Sequence, residues 1–188
     1  MPDGWRSEKR RLPRGVAKRF ADYFAARMDP EVEWHFGGSY RRGASEIGDL
    51  DIVVVTESGS LEGDLFEPAV RLPDAIVWQR GRKKARFGDL TLDLDGDPVT
   101  MHIDVWACKP NERGAFLWFC TGPKELNVVM RRRALQRGMH LLQFGLTNED
   151  KSVQLDDGTE EDIARLLDWP MSTPEERQSW VRMKPSEA

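Results

Sequence analysis

The run DLDIVVV at residues 49–55 constrains the fold of this chain more than any other stretch. Its four β-branched residues, 52–55, predict a buried strand, because such side chains pack well on a pleated surface. Side chains alternate across a strand, so Asp49 and Asp51 share one face, about 7 Å apart along the chain. Two carboxylates on one face repel each other unless a cation lies between them. A divalent ion with oxygen ligands meets that requirement, and a solvated strand start is the simpler alternative.

A third acid strengthens the metal interpretation. Asp104 lies in MHIDVWAC, inside a run that otherwise indicates a buried strand. If the two strands are neighbours, three carboxylates converge and form the ligand set for two metal ions roughly 4 Å apart. Upstream, Gly38 allows a phosphate to approach the backbone, Ser39 offers a hydroxyl, and Arg42 can fork onto phosphate oxygens. The order G-S, then D-x-D, then a strand Asp favours phosphoryl transfer.

The remaining pattern predicts an α+β fold in two parts. Predicted helices cover 14–28, a short piece after Gly38, 65–72, 124–138 and a last segment capped by Thr159. Predicted strands cover 32–36, 50–55, 76–79, 86–94 and 99–107, with a hairpin turn at Asp95-Gly96-Asp97. Lys109-Pro110-Asn111 breaks the pattern. We therefore expect a catalytic domain at 1–108 and a smaller domain at 109–188.

Composition excludes several classes of protein. Of 188 residues, 32% are charged and 9% aromatic, which is typical of a folded globular chain rather than a disordered one. No apolar run approaches the roughly 20 residues that span a bilayer, and no secretory signal is visible. Two cysteines form neither a disulfide framework nor a metal motif. We expect a monomer without membrane contact, in the cytoplasm, at a nucleoid or in a virus-infected cell.

The charge distribution points to a polyanionic ligand although the net charge is −4. Basic residues are grouped in three clusters, at 6–19, 80–86 and 131–137, while acids concentrate at 149–162. Each cluster by itself is also explained as a solvated face. The three clusters together support binding to a polyanion, such as DNA or a triphosphate, as strongly as they support solvated faces.

These residues carry a resemblance to a known family. GGSYRRGASEIGDLDIVV is similar to the catalytic motif of nucleotidyltransferases, and specifically of the family X DNA polymerases. RRLPRG at 10–15 and MHIDVW at 101–106 resemble further parts of that family's palm. FCTGPKELNVVMRRRALQRGMHLLQFGL at 119–146 and TEEDIARLLDWPMSTPEERQ at 159–178 resemble its thumb and C-terminal segment. The resemblance implies a palm with a mixed, mostly antiparallel sheet and helices on one face, followed by a small α+β thumb.

The resemblance also implies roles for individual residues. Asp49, Asp51 and Asp104 would hold two Mg²⁺ ions, which Mn²⁺ could replace, and Asp104 would help deprotonate the primer 3′-hydroxyl. The incoming dNTP would be held by Arg11, Gly38, Ser39, Arg42, Gly48, Phe119, Cys120, Gly122 and Asn127. Gapped or primer–template DNA would meet His102, Arg131 and, from the second basic cluster, Lys83 and Lys84.

Departures from the family pattern leave alternatives open. His102 stands where the family often has Arg, and Cys120 replaces an aromatic residue beside the sugar. Lys124 stands where an acidic residue is common. About ten residues precede the palm-like segment, so we expect no lyase domain, as in the minimal members found in some large DNA viruses. We expect short-gap filling in DNA repair. Nucleotide transfer to a small molecule or protein, template-independent addition and a catalytically inactive DNA-binding protein are the alternatives.

Overall fold

A computed structural model describes residues 11–61, 76–80 and 84–181, apart from the side chains of 76–80 and 84–89. The strands, numbered along the chain, are β1 Leu12–Pro13, β2 Trp34–Phe36, β3 Glu46–Ile47, β4 Asp49–Val55, β5 Ile76–Arg80, β6 Lys84–Leu94, β7 Asp97–Cys108, β8 Met139–Leu142 and β9 Gly145–Asn148. The α-helices are α1 Arg14–Ala25, α2 Gly38–Arg41, α3 Arg113–Thr121, α4 Lys124–Gln136 and α5 Glu160–Leu166, and 3-10 helices cover Pro110–Glu112 and Glu176–Trp180.

A five-stranded sheet in the order β2-β4-β7-β6-β5 organises the first part of the chain, which we call the first lobe. Among these strands β4 and β7 are parallel, and the other neighbouring pairs are antiparallel. The predicted α+β fold with a mixed, mostly antiparallel sheet is thereby confirmed. Strands β1 and β3 form a separate two-stranded sheet beside it.

Helix α1 covers one face of this sheet. Its apolar residues at helical spacing, such as Phe20 and Phe24, are buried in one cluster with Leu50 and Ile103 of the sheet. The helix ends at Ala25, three residues before its predicted end. Beyond it the N–H groups of Arg27 and Met28 bond to carbonyls three residues back and form a tight turn. The next residue, Asp29, precedes Pro30, and helical backbone is disfavoured there.

The hairpin turn predicted at residues 95–97 is present between β6 and β7. Asp95 and Gly96 both have positive φ, 63° and 93°, and join β6 to β7 as a two-residue hairpin turn. The predicted helix at 65–72 lies outside the described residues.

The second lobe has its own core, formed by α3, α4, α5 and the β8–β9 hairpin. Helix α4 ends at Gln136, with Gly138 (φ 68°) just past it, as the sequence predicts. Thr159 caps α5, because its Oγ1 accepts the N–H of Asp162 at 3.1 Å. Helix α3 and the β8–β9 hairpin were not predicted. The run FLWF in α3 is apolar without a clear period, since α3 packs on both lobes.

A third apolar cluster joins the lobes. It contains Val53 and Cys108 from the sheet and Phe116 and Leu117 from α3, all buried. Val53 lies on the face of β4 opposite Leu50, so one sheet face packs on α1 and the other on the second lobe. In the described part of the chain, no helix combines the length and apolar character needed to cross a bilayer.

Candidate active site between the two lobes

The three predicted aspartates lie on adjacent strands. The parallel register pairs Asp51 with Asp104 and Asp49 with His102. Paired residues on neighbouring strands share a face, and Asp49 and Asp51 share theirs by alternation. Asp104 is 4% exposed, while the other two are half-buried. The sequence predicts that the three carboxylates converge if their strands are neighbours. The pairing of β4 with β7 meets that condition.

The three aspartate side chains do not form a preassembled metal site. Within the described part of the chain, no three His, Cys, Asp or Glu side chains are grouped as a ready-made metal site. The donor chemistry still fits divalent cations, since three carboxylates occupy one face and one of them, Asp104, is buried in a strand of apolar residues.

The glycine turn before α2 lies directly against Asp51. The Gly37 N–H donates to the Asp51 carbonyl at 2.7 Å. Gly38 has φ 59°, and a Cβ at that position would lie 2.1 Å from Asp51 Oδ2. The positive φ and the close carboxylate each require glycine at position 38. A side chain there would be strained by the backbone and would collide with Asp51. Ser39 follows, half-buried in α2. The predicted phosphate turn and the predicted metal ligand are thus in contact.

Arg11 and Arg42 lie beside this turn. Pairing of β1 with β3 places Arg11 next to Gly48, where a Cβ would be 3.9 Å from the arginine Cγ. Burial lowers the pKa of Arg42, the nearby Asp51 and Glu125 oppose that effect, and the positive charge of Arg11 adds to it. Two guanidinium groups that repel each other beside the Asp51 carboxylate suit an anion with several oxygens, such as a triphosphate.

A cavity of about 520 Å³ opens between Arg42 and the second lobe. This volume is typical of small-molecule sites. Its lining includes five residues predicted to bind nucleotide and one predicted to bind DNA, namely Arg42, Phe119, Cys120, Gly122, Asn127 and Arg131. The structure therefore places most of the predicted nucleotide residues around one space.

Asn127 is held in a defined orientation at the cavity wall. Its Nδ2 donates to the Phe119 carbonyl at 2.9 Å, while its Oδ1 is buried and has no hydrogen-bond partner among the described residues. The Arg131 guanidinium lies 5.6 Å from the centre of the Phe119 ring, on which it can stack. Phe119 is thus fixed from two sides.

The predicted DNA contacts are only partly described. His102 is half-buried, paired with Asp49 across the strands, and Arg131 is exposed. Lys84 begins β6 with its side chain outside the described residues, and Lys83 lies outside them altogether.

Two arginines of the third basic cluster have a structural role that the sequence analysis missed. Arg133 donates to the carbonyl of Leu167, just past α5, and forms an ion pair with Asp168 at 3.2 Å. Arg137 lies 4.0 Å from the same carboxylate. Within the cluster at 131–137, Arg133 and Arg137 therefore contact the end of α5, and DNA binding by this cluster stays a prediction.

A buried link between the lobes has no signal in the sequence. Arg41 donates to Thr121 Oγ1 at 2.7 Å and to Glu160 Oε2 at 2.6 Å. Glu160 accepts a second bond, 2.8 Å long, from the fully buried Arg177. Two consecutive arginines in the sequence gave no signal that Arg41 enters an ion network while Arg42 lines the cavity.

The chain matches two family models, DNA polymerase beta palm over residues 11–80 and DNA polymerase beta thumb over residues 116–178. The matched ranges fall on the first and second lobes, and Asp104 lies between them. The chain is also similar to DNA polymerase lambda of Rattus norvegicus, with 27% identity over 159 residues. That match covers 74% of this chain and 28% of the relative, so the chain spans less than a third of the relative's length.

Proposed function

The chain belongs to the family X DNA polymerases, and on that premise we propose that it adds deoxynucleotides to the 3′-hydroxyl of a DNA primer. The observation that carries the proposal is the register of β4 and β7, which sets Asp51 beside Asp104. The glycine turn that contacts Asp51 also lies against Cys120 of the cavity lining, since a Cβ on Gly37 would be 3.2 Å from the Cys120 Cβ. Ligands for metal, phosphate and nucleoside are therefore adjacent.

In the proposed reaction Asp104 accepts the proton of the primer hydroxyl. The primer oxygen forms a bond to the α-phosphorus of the dNTP, the bond to the bridging oxygen breaks, and pyrophosphate leaves. Asp49 and Asp51 would hold two divalent ions, and Asp104 would hold one of them. When bound, Mg²⁺ or Mn²⁺ neutralises charge that develops on the attacking and leaving oxygens.

The two arginines and the turn would hold the triphosphate. Arg42 and Arg11 supply forked donors, and Gly38 and Gly48 allow close approach of the phosphates to the backbone. Ser39 adds a hydroxyl. Variants Arg42→Ala and Arg11→Ala are expected to raise the KM for dNTP and to leave affinity for gapped DNA within about twofold, because charge is lost beside the phosphates rather than beside the duplex.

The cavity would hold the nucleoside. Phe119 and Cys120 lie beside the sugar and Asn127 beside the base in this proposal, with Gly122 shaping the turn between them. Arg131 would contact the template strand, and His102, Lys83 and Lys84 the rest of the DNA. We propose short-gap filling by a monomer as the biological task, because the second lobe matches a polymerase thumb, which a small-molecule transferase would not need.

Primer extension tests the proposal. A single-nucleotide gap is supplied with each dNTP separately, with Mg²⁺, Mn²⁺ or a chelator. We expect addition of the complementary nucleotide alone, abolished by the chelator. Addition of every dNTP at equal rates would indicate template-independent synthesis. No extension, combined with nucleotide transfer to a non-DNA acceptor, would overturn the polymerase assignment.

A further inference from the structure

We infer that Gln178 is a positioning residue for the nucleotide site, which aims the guanidinium of Arg42 into the cavity between the lobes. Gln178 lies in the 3-10 helix Glu176–Trp180. Its Oε1 accepts the Nε–H of Arg42 at 2.9 Å. At the other end of the same guanidinium, Nη1 donates to the Thr121 carbonyl. Two bonds at different nitrogens fix both the plane and the direction of the group.

The orientation leaves donors for a ligand. A guanidinium carries five N–H groups, and these bonds use two of them. Among the described residues the remaining three have no recorded acceptor, and Arg42 lines the cavity wall. A Cβ on Gly122 would lie 3.8 Å from Arg42 Nη1, so this end of the arginine lies against the turn between α3 and α4.

The chemistry of glutamine suits this position. Its amide oxygen accepts a hydrogen bond without a formal charge, so the positive charge of Arg42 stays available to an anion. A carboxylate would make a stronger bond to Arg42 and would neutralise it. Because Arg42 is partly buried, that neutralisation would be weakly screened by water.

The segment that carries Gln178 is firmly anchored. The neighbouring Arg177 is fully buried and bonds to Glu160 at 2.8 Å and to the Ser172 carbonyl at 3.1 and 3.2 Å. Trp180 packs on Trp169 with 5.8 Å between ring centres, and Val181 reaches the cavity lining. The position of Gln178 is therefore set by the core of the second lobe, while the arginine that it orients belongs to the first.

This inference rests on the proposed triphosphate role of Arg42, and the experiment separates the two. Dissociation constants for a dNTP and for inorganic tripolyphosphate are measured with Gln178→Glu, Gln178→Met and Arg42→Ala proteins, together with the Tm of each. We expect Gln178→Glu to weaken both ligands about tenfold with an unchanged or higher Tm. Gln178→Met, which keeps the length of the side chain but lacks the acceptor, is expected to weaken them about threefold.

A matched charge control is Gln136→Glu, at the exposed end of α4, which should leave both constants unchanged. A purely structural role of Gln178 would let Gln178→Glu bind like the wild type, because the fold keeps its bond to Arg42. Gln178 variants within twofold of wild type, with a weakened Arg42→Ala protein, would overturn the positioning role alone. An unaffected Arg42→Ala protein would overturn the triphosphate role of Arg42 as well.

Discussion

Arg41 and Glu160 form an ion pair between the two lobes, with 2.6 Å between Nη2 and Oε2 and only 7% of the glutamate side chain exposed. Arg177, fully buried, binds the other carboxylate oxygen and lies 4.1 Å from the centre of the Trp118 ring. Both oxygens of one buried carboxylate are thus used by arginines from two parts of the fold. Removal of such a partner is costly, because the remaining charges stay buried.

We expect Glu160→Gln to destabilise the protein by about 3 kcal/mol, since two guanidinium groups lose their counter-charge. The value is at the lower end for a buried pair because the Arg41 side chain is 23% exposed. Urea unfolding measures the change. Glu161→Gln, at the exposed neighbouring position, is the control and should have no effect beyond about 0.5 kcal/mol. Equal stabilities for both variants would contradict a stabilising role of the network.

Asp104→Asn removes both a metal ligand and a proton acceptor in the proposed mechanism. The extension rate is expected to fall at least 10²-fold, roughly 3 kcal/mol in the barrier, with an unchanged Tm. Single-turnover kinetics on gapped DNA give the rate. Asp97→Asn, at the exposed start of the same strand, serves as the control. Near wild-type extension by the Asp104 variant would remove this residue from the catalytic set.

Gly38→Ala tests the contact between the glycine turn and Asp51. The new Cβ would collide with the carboxylate in addition to the cost of positive φ, so both activity and stability are expected to fall. Gly96→Ala separates the two effects, because Gly96 has φ 93° but nothing within 4 Å of a Cβ. That control should lose stability alone, by about 1 kcal/mol. Loss of extension by both variants would argue against a specific role of Gly38.

The salt dependence of DNA binding should distinguish two arginines of one helix. Each phosphate neutralised contributes about 0.9 to the log–log salt slope, so Arg131→Ala is expected to reduce the slope by about one such unit. Arg133→Ala should leave the slope unchanged and lower the Tm, because Arg133 binds the carbonyl of Leu167 at the end of α5. Binding titrations at several salt concentrations give both slopes. The same reduction in both variants would contradict this division.

Acid should weaken a link between β2 and α3. Partial burial tends to raise the pKa of Glu33, but hydrogen bonds from His35 and Arg113 outweigh it and hold that pKa below its usual range. A carboxyl with a lowered pKa in the folded state stabilises the fold above its unfolded pKa, and this stability is lost as pH falls through the folded value. Glu33→Gln should therefore flatten the loss of Tm between about pH 5 and 3.

The exposed Glu31 supplies the control for this measurement, and Glu31→Gln should follow the wild-type profile. Identical profiles for all three proteins would contradict the contribution of Glu33.

The candidate site was predictable from the sequence to the extent that it depends on local rules. Strand alternation put Asp49 and Asp51 on one face, the β-branched run identified β4, and Asp95-Gly96 identified the hairpin turn. Thr159 was recognised as a cap. Each of these features depends on backbone preferences within a few residues, which are present in any context that forms the same element. The family resemblance, rather than a local rule, gave the nucleotide-binding roles predicted for Phe119, Cys120, Gly122 and Asn127.

Only the tertiary structure decided which distant residues meet. The parallel pairing of β4 with β7 joins residues more than 50 positions apart, and no local preference specifies it. Chemically equivalent arginines also separate in this way, because Arg41 enters a buried ion network, Arg42 lines the cavity, and Arg133 holds a helix end. Charge and propensity are the same for all three in the sequence. Their roles differ because packing of the two cores fixes which acceptor each guanidinium reaches.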